Sequence, residues 1–428
     1  MTTAGDPAAT ARAVAEQARD GRFAEVEERY AAPLRAALAP GMLGAAWAGE
    51  VGQRGGVLAV GEPVTEPARA GLARVSVPVS CDSGGLTLVM SVDEAGRLHG
   101  MRLGPATGGP WTPPDYAVPR RFTEREVTVG AGPAAVPGTM SLPRGRRPGR
   151  AWRRAGECPG VVLLGGGGPF DRDETSGVNK PLKDLAWGLA SRGVAVLRFD
   201  KVTFAHPDQV AQASGFTVTD EYVPHAVAAV RLLQQHPGVD PGRVFVLGHS
   251  LGGRVAPRVA AAQASVAGLV LLAGDAEPMA DKAVRVARYL AAADPAAAAF
   301  AETMARQAAL AGGPGLAATT PAAELPFGWA ASFWLDLRDY DPVATAAGLG
   351  RPVLILQGGR DYQVTVADDL ARWRAGLGHR DDVAIRVYEA DNHLFFPGSG
   401  RSAPAEYDPP QHVDPAVVAD IAEWLAGH

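Results

Sequence analysis

The hydrophobic positions of the chain change period twice. From residue 8 to 39 apolar side chains recur at helical spacing, as in "FAEVEERYAAPLRAAL", and "APG" ends the run, so two helices are predicted there. The stretch "ARVSVPVSCDSGGLTLVMSVDEAGRLHGMRLG" then alternates with period two and is broken by the turn signals "CDSGG" and "DEAGR". Helices followed by an antiparallel meander predict a small α+β domain over residues 1–115. The Gly- and Pro-rich "GPATGGPWTPPDY", 104–116, reads as the linker.

Beyond the linker the pattern becomes strand–helix–strand. "REVTVGAGPAAVPGTMSLPRG" reads as a hairpin. "GVVLLG", "GVAVLRFD", "RVFVLGHS", "AGLVLLAG", "PVLILQGG" and "VAIRVYEA" are short apolar runs suited to strands covered on both faces. Helix-like stretches lie at 181–191, 220–236, 251–264 and 363–376. Asp414 as cap and Pro415 at the first position open a last helix. Residues 116–428 are therefore expected to form an α/β domain with a mostly parallel sheet and helices on both faces. Residues 275–345 hold only helical patterns, which predicts a helical lid inserted over the sheet.

Two glycine-rich turns carry the candidate chemistry. "VVLLGGGGPFDRDE", 161–174, could cradle a phosphate or offer backbone N–H groups to an oxyanion. A phosphate loop would need Lys followed by Ser or Thr, and a dinucleotide loop a glycine at Phe170; neither is present. In "VFVLGHSLGG", Gly248-His249-Ser250-Leu251-Gly252 has the form G-x-S-x-G between a strand-like and a helix-like run. That context makes a tight turn with the serine on its tip, a candidate nucleophile. Such a serine needs a base, and the base an orienting acid, following in that order along the chain. Asp361 lies just past "PVLILQGG" and His393 just past the next strand. Asp368 and Asp369 fall on a helix and are expected to be solvated. His379 lies in a polar connection, His412 and His428 near the tail, and His249 inside the turn itself, where it can pack but not serve Ser250. Asp391 is expected to shape the turn before His393. The Leu251 N–H opens a helix and is a candidate oxyanion donor. Gly166 or Gly167 would give the second, Gly167 being preferred.

Together these residues resemble the α/β-hydrolase superfamily, and within it a bacterial group with an N-terminal domain of the DUF3887 type. The resemblance rests on "GPFDRDETSGVNKPLKDLAWGLASRGVAVLRFDK", "GHSLGG", "FWLDLRDYDP" and "LILQGGRDYQVT…NHLF". It covers most of 120–428 and, more loosely, 1–115. It implies an esterase or acyl hydrolase with Ser250, Asp361 and His393 as triad. Two positions depart from the group. Gly165 stands where it has a histidine, and Lys201-Val202 where it has Lys-Arg. Glycine at 165 predicts extra room beside the oxyanion site, suited to a bulky acyl group. The run Asp171–Glu174 is expected to be a structural charge network.

Composition narrows the function. Hydrophobic residues make up 47% and charged residues 20% of the 428, as in a globular protein, and the net charge of −5 argues against nucleic acid. No apolar run is long enough for a membrane span, no secretory signal is visible, and Cys81 and Cys158 form neither a disulfide framework nor a metal set. The expectation is a cytoplasmic enzyme without metal or cofactor, acting on a small acyl substrate; any assembly is expected to be a homodimer. Phe333 and Trp334, with Trp329 and Tyr362, are the candidates for an apolar pocket wall. The leading reading is hydrolysis of an ester or thioester of a fairly bulky apolar acyl group through an acyl-enzyme on Ser250. Acyl transfer or cyclisation with the same triad, and a non-catalytic binding protein on this scaffold, are the alternatives.

Overall fold

The computed structural model describes residues 6–38, 41–52, 54–65, 71–82, 84–105, 111–144, 158–293 and 297–428. Residues 106–110 of the linker lie outside these. The chain divides into two compact units, Met1–Pro110 with Tyr407–Pro410, and Trp111–Glu406 with Gln411–His428.

The first unit holds helices α1 (Pro7–Arg19), α2 (Phe23–Glu28), α3 (Ala32–Ala37) and α4 (Met42–Gly52). Strands β1 (Val57–Val60), β2 (Val64–Thr65), β3 (Leu72–Cys81), β4 (Gly84–Asp93) and β5 (Leu98–Pro105) form an antiparallel sheet of order β1-β3-β4-β5, with β2 paired to β3. Asp6 caps α1 by accepting from the Ala8 N–H, and Pro7 occupies the first turn, where no N–H is needed. The period-two pattern of β3 buries Val75, Val77 and Val79 on one face; Ala11, Val14 and Ala15 of α1 share a core with Val75 and Val77, and Ala18 of α1 joins Val79 in a second cluster. Three short helices stand where periodicity predicts two, because the chain breaks at Tyr30 to pair with Leu98. Helix α4 and the edge strands β1 and β2 were not legible from the pattern.

The second unit begins with the hairpin β6 (Phe122–Val129) and β7 (Val136–Pro143). It continues through β8 (Cys158–Leu164), α5 (Pro181–Ala190), β9 (Ala195–Phe199), α6 (Val202–Ala205), α7 (Pro207–Gln212), α8 (Val218–Gln234), β10 (Val239–His249), α9 (Leu251–Ala262) and β11 (Leu269–Leu272). Four helices follow: α10 (Met279–Ala291), α11 (Ala298–Gly312), α12 (Ala331–Arg338) and α13 (Pro342–Leu349). The unit closes with β12 (Val353–Gly358), α14 (Ala371–Leu377), β13 (Val383–Tyr388) and α15 (Pro415–Gly427). The eight strands run in the order β6-β7-β9-β8-β10-β11-β12-β13. Strands β9 to β13 and β8 are mutually parallel, and the hairpin adds two antiparallel strands at one edge. Strands β8, β9, β11 and β12 are buried almost throughout, as is β10 from Val244 to His249, which is why these stretches read as continuous apolar runs.

This order positions the site. From β8 the chain moves to β9 on one side and then returns to β10 on the other. The crevice between the ends of β8 and β10 is thus the switch point where parallel sheets bind ligands. Leu164 of β8 pairs with Gly248 of β10, so the glycine loop and the serine turn leave the sheet side by side.

Candidate active site

Ser250 sits between β10 and α9 with φ 52° and ψ −121°, a backbone region that side chains rarely adopt. The glycines around it make the turn tight enough. A Cβ on Gly248 would lie 2.1 Å from the Gly252 carbonyl oxygen, and one on Gly252 would lie 2.6 Å from the Gly165 and Leu164 carbonyls. Helix α9 therefore packs directly on the backbone of the glycine loop. Leu251 is the first residue of that helix, so its N–H has no carbonyl one turn back.

Asp361 and His393 meet although far apart in sequence. Asp361 follows β12, His393 follows β13, and His393 Nδ1 lies 2.7 Å from Asp361 Oδ2. The other oxygen, Asp361 Oδ1, accepts the Gln363 and Val364 N–H groups at 2.7 and 3.0 Å, and Gln357 donates to Oδ2 at 3.3 Å. The turn carrying His393 is held by Asn392, whose Oδ1 accepts the N–H groups of Leu394 and Phe396 at 3.1 and 3.2 Å. Ser250, Asp361 and His393 are all buried. His379 is exposed, and His412 pairs with Asp184.

A second histidine pair ties these parts together. Glu174, itself at φ 53°, accepts the Gly166 N–H at 2.7 Å and faces His249 Nδ1 at 2.9 Å. His249 Nε2 lies 2.9 Å from the His393 carbonyl oxygen. Both ring nitrogens face acceptors, so the geometry calls for the imidazolium. Burial alone would lower the pKa of His249, but the charge and hydrogen bond of Glu174 outweigh it and the net shift is upward. Burial pushes Glu174 up, and the cation beside it brings it below the ordinary carboxylate value. The pair is thus fully formed between the two ordinary pKa values. Its contribution fades as pH rises through the raised value of His249 or falls through the lowered one of Glu174.

The loop is braced from below as well. Lys201 Nζ donates to the Gly166 carbonyl at 2.8 Å and pairs with Glu221 at 3.1 Å; the Tyr222 hydroxyl lies 2.7 Å from the same carbonyl and 3.0 Å from that of Gly165. Sequence reasoning missed Glu174, Lys201 and Tyr222 as loop anchors. The departure noted beside Lys201 falls at Val202 and gave no sign of them. Arg172 binds Asp200, and Asp173 binds Arg198 and Lys180, so the run 171–174 is the structural charge network expected.

Gly167, Ser250 and Leu251 line one cavity of about 360 Å³. Its other walls come from α10, α11 and the segment before α12, among them Met279, Ala283, Leu290, Phe300, Met304 and Trp329. Several expectations need correction here. The Gly166 N–H is held by Glu174, which removes Gly166 as a donor to ligand and leaves Gly167. Phe333 and Trp334 are buried in the core beneath Trp329, at ring-centroid distances of 5.0 and 5.7 Å from it, and do not line this cavity. Tyr362 stacks flat on Tyr289 at 4.8 Å; the next residue, Gln363, reaches the cavity instead. Asp369 is not solvated but fully buried, accepting the N–H groups of Ala276 and Thr365 at 2.9 Å each.

Gly165 does not open the cavity either. A Cβ there would meet Leu182 at 3.7 Å and Glu174 at 3.9 Å, on the anchoring side of the loop. Gly165→His is therefore expected to lower kcat/KM for short-chain and bulky esters in equal proportion, because its imidazole competes with His249 for Glu174. A selective loss on the bulky ester would restore the idea that this glycine makes room for substrate.

Asp391 is buried beside His393, and burial, with the charge of Asp414, pushes its carboxyl up to about 7. The protonated form is favoured by folding, so this group's own contribution to stability is largest below the ordinary carboxyl pKa and falls as pH climbs towards about 7. Asp391→Asn should gain on the order of 3 kcal/mol over the wild type at pH of about 8, and little at about 4. Denaturant titrations at the two pH values check this; an equal change at both would deny the titration.

The alpha/beta hydrolase family profile matches residues 161–409 of the chain. The chain belongs to this family. Among proteins similar to it is Esterase EstD of Thermotoga maritima, 35% identical over 349 residues that span 80% of this chain and 77% of that one. Solved structures with some similarity to the chain include that of 2,6-dihydroxy-pseudo-oxynicotine hydrolase, 16% identical with a TM-score of 0.43 over 70% of this chain and 66% of that one. A Pyrococcus furiosus esterase is 17% identical with a TM-score of 0.43 over 75% and 95%. No helix among the described residues is long and apolar enough to cross a membrane.

Proposed function

We propose that the protein is a serine esterase or thioesterase acting on a fairly bulky, mainly apolar acyl group. The observation that carries this reading is Ser250 at φ 52° on a strand-to-helix turn, facing a cavity of about 360 Å³, with a His393–Asp361 pair on the same sheet edge. The similarity to Esterase EstD supports it. In this mechanism Asp361 holds the Nδ1 proton of His393, leaving Nε2 to take the proton of the Ser250 hydroxyl. Oγ attacks the acyl carbonyl, and the oxyanion is met by the N–H groups of Leu251 and Gly167. His393 returns the proton to the leaving alcohol or thiol. Water, activated by the same imidazole, then releases the acid. The buried Glu174–His249 pair keeps the loop, the serine turn and the His393 turn in register. The N-terminal unit is read as a DUF3887-type domain without chemistry of its own. Incubation with a panel of acyl esters and thioesters, followed by intact mass measurement, tests the proposal. A single acyl increment on Ser250, with free acid as product, is expected; transfer of the acyl group to an added alcohol in preference to water would replace hydrolysis by acyl transfer.

A further inference from the structure

Two backbone N–H groups orient Asp361, and the peptide units that carry them meet α10 on their other side. The peptide between Tyr362 and Gln363 donates its N–H to Asp361 Oδ1 at 2.7 Å, and its carbonyl accepts from Arg285 Nη1 at 3.0 Å. The next peptide, between Gln363 and Val364, donates to the same Oδ1 at 3.0 Å, and its carbonyl accepts from Arg285 Nη2 at 3.1 Å. A planar trans peptide points its C=O and N–H in opposite directions, so fixing one fixes the other. Two peptide units thus bridge the Arg285 guanidinium to the Asp361 carboxylate side by side. A carbonyl bonded to a cation also makes the N–H across the same unit a stronger donor.

The guanidinium is itself held in place. Glu277 Oε2 accepts from its Nε and Nη2 at 2.9 and 2.7 Å, Asp369 Oδ2 lies 3.3 Å from Nη2, and Asp368 Oδ2 lies 3.2 Å from Nε. These carboxylates already balance the charge. The two carbonyls are what call for a guanidinium, whose rigid planar fork holds two acceptors at a fixed spacing. Four residues further along α10, Tyr289 stacks on Tyr362 at 4.8 Å, so one face of the helix meets the acid loop twice.

We infer that Arg285 is a positioning residue for the reaction: from α10 it sets the two peptide units that orient Asp361, and through Asp361 the imidazole of His393. This rests on the reading of Ser250, His393 and Asp361 as the triad. Met279, Val286 and Leu290 of the same helix line the cavity, so the helix that walls the acyl group also holds the acid.

Arg285→Lys keeps the charge for the three carboxylates but not the fork. With p-nitrophenyl acetate, whose short acyl group leaves most of the α10 wall unused, kcat should fall about tenfold to a hundredfold with KM unchanged, the scale of a small misplacement of a catalytic group. The deciding comparison repeats the substitution in Asp361→Ala protein, read by kcat and by the rate at which a fluorophosphonate labels Ser250. With no carboxylate left to orient, Arg285→Lys should cost nothing further there. A loss by the same factor in both backgrounds would make Arg285 a structural residue only and overturn the inference. Should Arg285→Lys not fold, Arg285→Gln, which keeps an amide donor without the charge, takes its place in the same cycle. A wild-type kcat in Asp361→Ala would sink the triad reading itself, whereas a loss there with none in Arg285→Lys overturns the positioning role alone.

Discussion

Ser250→Ala is expected to lower kcat by several powers of ten while the protein folds as before, because covalent catalysis goes with the hydroxyl. A fluorophosphonate probe should label the wild type and not the variant. Equal labelling would place the nucleophile elsewhere. The backbone adds a second expectation. At φ 52° and ψ −121° a side chain is strained, and alanine inherits the strain because it keeps a Cβ. Ser250→Gly removes it. This variant should be as inactive as Ser250→Ala yet more stable by about 1–2 kcal/mol, visible as a higher Tm. A glycine variant no more stable than the alanine one would mean that the turn stores no strain. The strain has a mechanical reason. Gly248 and Gly252 let α9 come within contact of the Gly165 carbonyl, and this close approach presents the serine and the first N–H of the helix together at the cavity.

The sheet was legible because its strands are covered on both faces. Burial on both sides leaves an uninterrupted apolar run such as "RVFVLGHS", bounded by turn residues, which few other elements imitate. The Asp361–His393 pair was legible for a related reason: residues just past the ends of parallel strands reach one edge of the sheet, so the two can meet across 32 positions. The pocket was not. Phe333, Trp334 and Trp329 are equally apolar, and helical spacing says which share a face but not which face looks into a cavity. The fold puts Trp329 at the wall and the other two in the core beneath it. Buried polar partners were harder still. Asp369 reads as a solvated charge on a helix, and nothing in the local pattern gives Lys201 or Glu174 a backbone partner, yet each is enclosed and serves a backbone group elsewhere in the chain. Local pattern carries no trace of such pairings, because the partner is supplied only by tertiary packing.

His393→Ala should cost nearly as much activity as Ser250→Ala, since without the imidazole the serine proton has nowhere to go, whereas exposed His379→Ala should cost little. Asp361→Asn is the more instructive change, and its effect follows from the hydrogen bonds around the carboxylate. Oδ1 accepts two backbone N–H groups, from Gln363 and Val364, so the side-chain position there must remain an oxygen. The asparagine NH2 is then forced into the place of Oδ2, 2.7 Å from His393 Nδ1. An amide NH2 can only donate, so Nδ1 must become the acceptor and the ring proton moves to Nε2. That tautomer holds the ring in place but presents a proton, not a lone pair, to the serine. A loss of about 10⁴ in kcat is expected, with KM for a short-chain ester little changed, because the pocket is untouched. Asp361→Ala should be no worse than Asp361→Asn on this account, since it leaves the ring free to adopt either tautomer. An asparagine variant that kept a tenth or more of the wild-type kcat, or His379→Ala proving the inactive one, would show that the acid and base lie elsewhere on this sheet edge.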